Sequence, residues 1–228
     1  MRVAAIVPAA GKGRRLKTRQ PKPFVPVLGS PLLIHTLRNL KKAFSFSEII
    51  LAANPAALKA IRRLLARHKI KGVRIVRGGK TRAESVRNAL WNVSPACDWV
   101  LVHDAARPLV SRALVGRLLK RVRRSGAVIS AVPVSSTVKK TDAAQKFILR
   151  TQDRKTLYLA QTPQVFRKDL LVGRYKRLGR RAFQATDEAA LFDGSGVRVK
   201  IAEGEARNIK VTTLEDIELM KFYLKGGK

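Results

Sequence analysis

Short apolar runs alternate along the chain with longer stretches in which apolar residues recur every three to four positions, the mark of buried strands followed by amphipathic helices. The runs fall at residues 3–7, 48–53, 73–76, 99–103 and 127–132. The helices between them carry start signals. Ser30 is placed to cap a helix with Pro31 at its first position, running through Leu37 and Leu40 to about Phe44, and Asn54-Pro55 repeats that start for a helix ending near His68. Thr81-Arg82-Ala83-Glu84 has the form of a capping box for a helix to about Trp91, and Ser111 opens a basic helix to Arg124. This alternation predicts an α/β fold with a mostly parallel sheet and helices on both faces.

The pattern changes beyond Val132. Thr137-Val138-Lys139-Lys140 and Phe147-Ile148-Leu149 flank a polar turn at 142–146, which predicts a hairpin arm at about 135–151 projecting from the sheet. Two strands alone are marginal, so docking on a second subunit is the natural cover and predicts a homodimer. The remainder predicts a helix near 168–178, a short one opened by Thr186, a strand at 197–201, a strand-like segment around Lys210 and a final helix capped by Thr213. All of this fits one domain over 1–228 with the arm as its appendage.

Composition narrows the class. Hydrophobic residues make up 46% of the 228, enough for a core, and no apolar run is long enough to span a bilayer. The apolar run at 3–7 is too short for a secretory signal before Pro8 and the glycines, which places the chain in the cytoplasm. A single cysteine, Cys97, excludes an intrachain disulfide and reads as a small packing residue. The net charge of +33 admits two partners, nucleic acid or phosphorylated substrates. The charge is spread along the chain and aromatic residues are only 6%, which favours phosphorylated substrates and gives no expectation of a specific nucleic acid.

The candidate chemistry sits where strands end. Gly11 and Gly13 let successive backbone N–H groups turn toward one anion, Arg14, Arg15 and Lys22 bring charge to the same loop, and Pro21 and Pro23 stiffen the segment presenting Lys22. The spacing is neither a Walker A loop nor a dinucleotide fingerprint, which wants glycine where Leu16 stands. Asp104 ends the run at 99–103, the edge of an open α/β sheet where ligands bind, and could receive substrate hydroxyls or help hold a hydrated Mg²⁺. His103 beside it reads as structural. Gly78-Gly79 with Ser85 forms a second glycine turn, suited to a base ring recognised by main-chain groups or to a plain turn into a capped helix.

Taken in order, Pro-Ala-Ala-Gly-Lys-Gly-Arg-Arg, Pro-Lys, Gly-Gly-Lys-Thr-Arg-Ala-Glu-Ser-Val, Val-His-Asp-Ala-Ala-Arg-Pro, Thr-Val-Lys, Asp-Arg, Gln-Thr-Pro-Gln, Thr-Asp-Glu-Ala and Asn-Ile-Lys-Val-Thr make the chain resemble the 2-C-methyl-D-erythritol 4-phosphate cytidylyltransferases of the non-mevalonate isoprenoid pathway. The resemblance covers nearly the whole chain. It implies a Rossmann-like nucleotidyltransferase sheet and transfer of CMP from CTP to methylerythritol phosphate with Mg²⁺ held mainly by the CTP phosphates. It implies CTP contacts at Ala9, Ala10, Gly11, Gly13, Gly79 and Ser85, and transition-state cations at Arg15, Lys22 and Lys210. Asp104, Arg107, Thr137, Arg154, Thr162 and Thr186 would hold the acceptor, some across a dimer. Two departures face the acceptor end: Arg207 precedes Asn-Ile-Lys, and Ser135-Ser136 precede Thr137, where the family often has acids. They leave open another alcohol phosphate, ribitol 5-phosphate first; a nucleic-acid-binding protein is the reading of another class.

Overall fold

The structure is a computed structural model; it describes residues 1–11, 16, 18 and 20–227. Strands β1 (Val3–Ala9), β4 (Glu48–Ala53), β5 (Val73–Arg77), β6 (Trp99–Val102), β7 (Ala127–Pro133), β10 (Tyr158–Arg167) and β11 (Lys200–Glu203) form a seven-stranded sheet in the order β11-β7-β10-β6-β1-β4-β5. Every neighbouring pair is parallel except those made by β10, which runs antiparallel to both β6 and β7. Two small ladders stand apart: β2 (Pro26–Val27) with β3 (Ser30–Pro31), and β8 (Val138–Thr141) with β9 (Ile148–Gln152).

The two faces of the sheet bury alternate residues of each strand, as the pleat requires. Val3, Ala5 and Val7 of β1 join Leu33, Leu37 and Leu40 of α1 (Leu32–Ala43), Ile61 and Leu65 of α2 (Leu58–Arg67) and Leu114, Leu118 and Val122 of α4 (Arg112–Ser125). Ala4 and Ile6 face the other way, onto Val86 and Leu90 of α3 (Arg82–Leu90) and Leu171 and Tyr175 of α5 (Lys168–Leu178). A smaller cluster seats Ile217 and Met220 of α6 (Leu214–Leu224) on Val25, Val27 and Leu32, bringing the end of the chain beside its beginning.

Several local expectations hold in detail. Asn54 accepts from Ala56 N at 3.0 Å, Ser111 caps α4 through Leu114 N at 2.9 Å, and Thr213 caps α6 in a full capping box with Asp216. Others are corrected. Ser30 makes no cap; it pairs in the β2-β3 ladder, its hydroxyl accepts from Arg38 at 3.1 Å, and α1 begins at Leu32. The box at Thr81 is half made, because Glu84 takes the Lys80 N–H at 2.7 Å in place of that of Thr81. Thr186 opens no helix; the short 3₁₀ turn Ala189–Phe192 is started by Asp187, which accepts from Ala190 N at 3.0 Å. Val197 and Val199 pack against the core as irregular chain, so pairing starts only at Lys200. The segment around Lys210 is not a strand.

Strand β10 has no counterpart in the sequence reading. Gln161, Thr162, Pro163 and Gln164 interrupt its apolar pattern, and a proline argues against an interior strand. The strand absorbs them with a register shift between Gln161 and Gln164.

Candidate active site

A cleft of about 280 Å³ opens where β1 and β6 end at the same edge of the sheet. Residues 8–11, 22–23, 32, 82 and 85, 104–106 and 210 line it. Ala9, Ala10 and Gly11, small residues at the end of β1, line the cleft, and Lys22, in the single 3₁₀ turn Lys22–Phe24 closed by Phe24 N to Pro21 O at 2.9 Å, lines it with them. Gly78 lets this wall meet the next: a Cβ there would lie 2.5 Å from the Cβ of Ala10. The Gly79 N–H donates to the Ser85 hydroxyl at 3.0 Å, which donates to Thr81 O at 2.8 Å, so Ser85 lines the cleft while it locks the glycine turn to the start of α3.

Asp104 is the one carboxylate lining the cleft among the described residues, and two cations hold it. Arg82 Nε donates to Oδ1 at 2.8 Å and Lys210 Nζ sits 2.6 Å from Oδ2. Burial opposes ionisation of Asp104, but the guanidinium and the ammonium outweigh it and hold the carboxyl well below the usual range. Behind Arg82 lies the fully buried Glu188, whose two oxygens accept from Nη1 at 2.9 and 3.0 Å. Burial pushes the Glu188 carboxyl up while Arg82 acts against it; on Arg82, burial is outweighed by Glu188 and Asp104, which raise its pKa. Gln164 accepts from the N–H groups of Glu188 and Ala189, and is itself fixed by donating to Asp187 at 2.8 Å.

His103, fully buried behind Asp104, has a defined tautomer. Its Nε2 faces the Arg107 carbonyl at 2.9 Å and must donate there, which leaves Nδ1 to accept from Thr162 Oγ1 at 3.2 Å. Burial lowers its pKa to about 4, so the ring is neutral at pH 7 and is not a base. Thr162 completes the chain by accepting the Asp104 N–H at 3.0 Å. The irregular segment carrying Lys210 is anchored on β10: Asn208, fully buried, donates to Thr162 O at 2.8 Å, and Arg107 donates to Asn208 O at 2.6 Å.

The fold thus brings Ala9, Ala10, Gly11, Lys22, Ser85, Asp104 and Lys210 into one cleft. Arg107 and Thr162 are buried behind it, with side chains spent on backbone carbonyls, His103 and Asp104; they position, and do not line. Thr137, Arg154 and Thr186 are exposed and outside the lining, and Arg154 Nη1 donates to Ser135 O at 2.6 Å at the root of the arm. Gly13 and Arg15 lie outside the described residues. Arg82 and Glu188 were not singled out by the sequence, although both stand inside quoted motifs; an arginine directly after a helix cap that follows two glycines was the available signal. Arg207 donates to Gly227 O at 3.0 Å and stacks on Tyr223, and Glu205 accepts from Ser111 and Arg117.

A sequence profile of the 2-C-methyl-D-erythritol 4-phosphate cytidylyltransferases matches residues 3–226. The chain is 37% identical to the enzyme of that name from Syntrophus aciditrophicus, over 98% of this chain and 96% of that one. It is 41% identical to a bifunctional IspD/IspF enzyme from Desulfotalea psychrophila, of whose length it spans 57%. The crystal structure of 4-diphosphocytidyl-2C-methyl-D-erythritol synthase from Anaerococcus prevotii superposes with a TM-score of 0.85 at 33% identity, covering 98% of this chain and 96% of that one.

Proposed function

Because the chain belongs to the 2-C-methyl-D-erythritol 4-phosphate cytidylyltransferase family, we infer that it transfers CMP from CTP to 2-C-methyl-D-erythritol 4-phosphate. An oxygen of the acceptor phosphate attacks the α-phosphorus of CTP, the bond from that phosphorus to the β-phosphate oxygen breaks, and pyrophosphate leaves with the electron pair. The acceptor is already anionic at neutral pH, so no general base is needed, in keeping with the neutral, buried His103. What the reaction needs is relief of repulsion between two anions and stabilisation of charge on the phosphoryl oxygens.

The observation that carries the reading is the placement of Lys22 and Lys210 in one cleft with the small residues at 9–11. In this reading Ala9, Ala10, Gly11, Gly79 and Ser85 hold CTP, with Gly13 added by the resemblance. Lys22 and Lys210, joined by Arg15, meet the charge of the transition state. Asp104 orients a hydroxyl and presents Lys210, while Arg107 and Thr162 act by fixing Asn208 and Asp104. Thr137, Arg154 and Thr186, exposed and outside the lining, are the resemblance's further contacts to the acceptor. A Mg²⁺ ion would be held mainly by the triphosphate and water and would supply neutralising charge; Asp104, already paired with Arg82 and Lys210, is the one carboxylate the lining could add among the described residues.

Arm residues Phe147, Ile148 and Leu149 are 71, 65 and 60% exposed, with Tyr158 and Leu159 bare at the near end of β10. That apolar strip is the surface by which two copies pair as a homodimer. The chain works as a single unit, 1–228, in the cytoplasm; among the described residues no helix is long and apolar enough to cross a membrane. The deciding assay is pyrophosphate release with CTP and Mg²⁺, with methylerythritol phosphate and ribitol 5-phosphate supplied in turn and ATP, GTP and UTP as controls. Release with CTP and methylerythritol phosphate alone is expected; no release with either acceptor would overturn the reading.

A further inference from the structure

Val3 and Ala9 end β1 at opposite edges of the sheet, about 20 Å apart for a strand rising ~3.3 Å per residue, and Met1 lies just beyond Val3. At the Met1 edge, far from the cleft, the last turn of α1 and the outer face of α4 bound an open groove of about 840 Å³. Lys41, Lys42, Arg112, Lys120 and Arg123 line it, and no carboxylate does among the described residues. The side chains of Lys42, Arg112, Lys120 and Arg123 have no protein hydrogen-bond or ion-pair partner among the described residues. Acids are missing well beyond the rim, since 105–141 holds none and 1–83 only Glu48.

Stability does not account for this arrangement. Lys41, Lys42 and Arg123 complement the C-terminal dipoles of α1 and α4, but Lys120 stands outside the last turn and Arg112 is the first residue of α4, where the dipole disfavours a cation. Gly116 lies between Arg112 and Lys120 inside α4, where a Cβ would meet nothing within 4 Å and the helix needs no positive φ. Glycine there weakens the helix and gains no packing. It does bring the α4 backbone to the floor of the groove, open to a close-lying ligand.

The lining has charge without a recognition pattern. Ser45 is its one neutral side chain with a hydrogen-bonding group, and its one aromatic residue, Phe44, packs against the core. A small-ligand site carries a few placed polar groups that fix orientation. A row of cations lacking these suits a repeating anion whose bases are not read. We propose that this groove binds the sugar-phosphate backbone of single-stranded nucleic acid, independently of base sequence and of the reaction in the cleft.

The test is fluorescence anisotropy of a labelled oligouridine of about 20 nucleotides, titrated with the full chain over a range of salt. The variant K42E/K120E/R123E is expected to bind at least about tenfold more weakly at low salt. Its slope of log K against log salt should flatten by about 2, three phosphate contacts at roughly 0.7 each. The control K176E/R177E/R180E lowers net charge equally on the opposite helical layer and should leave the slope near wild type. Equal losses in the two variants would overturn the proposal, because binding would then follow total charge. So would full displacement of the oligomer by tripolyphosphate at equal phosphate concentration, the mark of a small-anion site. Circular dichroism checks folding, K42Q/K120Q/R123Q serves if the reversal does not fold, and pyrophosphate release should be unchanged in each.

Discussion

Lys210 Nζ lies 2.6 Å from Asp104 Oδ2, so a lysine from irregular chain near the C-terminus and an aspartate at the end of a central strand share one charge-assisted contact at the cleft wall. The contact fixes where the ammonium points before substrate arrives. Lys210→Met should therefore lower kcat by about two to three orders of magnitude, the scale of removing a preorganised electrostatic contact. Lys22→Met should do the same. Pyrophosphate release under saturating CTP measures both, and a near-normal kcat would remove the residue from the transition state.

Glu188 should matter through Arg82 without touching substrate. Glu188→Ala strands a buried guanidinium with one carboxylate fewer, and a broken buried pair costs about 3–5 kcal/mol. Urea unfolding is expected to show a loss on that scale, while a change under about 1 kcal/mol would mean that water or a neighbour replaces the carboxylate.

Acid should destabilise the protein in two stages. His103 binds its proton more weakly folded, at about 4, than unfolded, near 6.5, so the unfolded chain takes up the proton first as pH falls. Stability is complete above pH 6.5 and drops by about 3 kcal/mol towards pH 4, from a shift of about 2.5 at ~1.36 kcal/mol each. Asp104, held below the ordinary carboxylate range, adds a further loss below about pH 4. Denaturation midpoints of wild type and His103→Gln at pH 7 and 5 check the first stage; parallel falls in both would assign it elsewhere.

Gly78→Ala drives a methyl to 2.5 Å from Ala10 and 3.1 Å from Ala53 O, and so pushes apart the two walls assigned to CTP. The KM for CTP should rise about tenfold or more with a smaller effect on the KM of the acceptor. Equal effects on both would show a general loosening.

Leu149→Lys places a charge on the exposed apolar strip of the arm. Sedimentation should show a dimer for wild type and a monomer for the variant, with activity reduced. A fully active monomer would separate the arm from the site.

The fold was legible where local chemistry and tertiary role agree. Five runs of apolar residues became β1, β4, β5, β6 and β7, and Ser111 and Thr213 cap the helices they were expected to cap. β10 was hidden because Gln161, Thr162 and Gln164 satisfy partners in other segments, and such long-range bonds leave no periodic trace. Asp104 was visible as a polar residue ending an apolar strand. Glu188 was not, since a buried glutamate looks like any surface glutamate until its arginine is found 106 positions away. Arg107, given to the acceptor by the resemblance alone, is buried and donates to the carbonyls of Asn208 and Ala160, contacts that no local pattern announces.

The Asn208 amide, seated on Thr162 O inside the sheet, has a consequence for biosynthesis. A nascent polypeptide translated as far as Gly204 already contains every strand of the large sheet, yet lacks the ammonium that Asp104 receives. Every strand is thus encoded before the last cation of the cleft, and a chain released at that codon would carry all the sheet's segments without the lysine that pairs with Asp104.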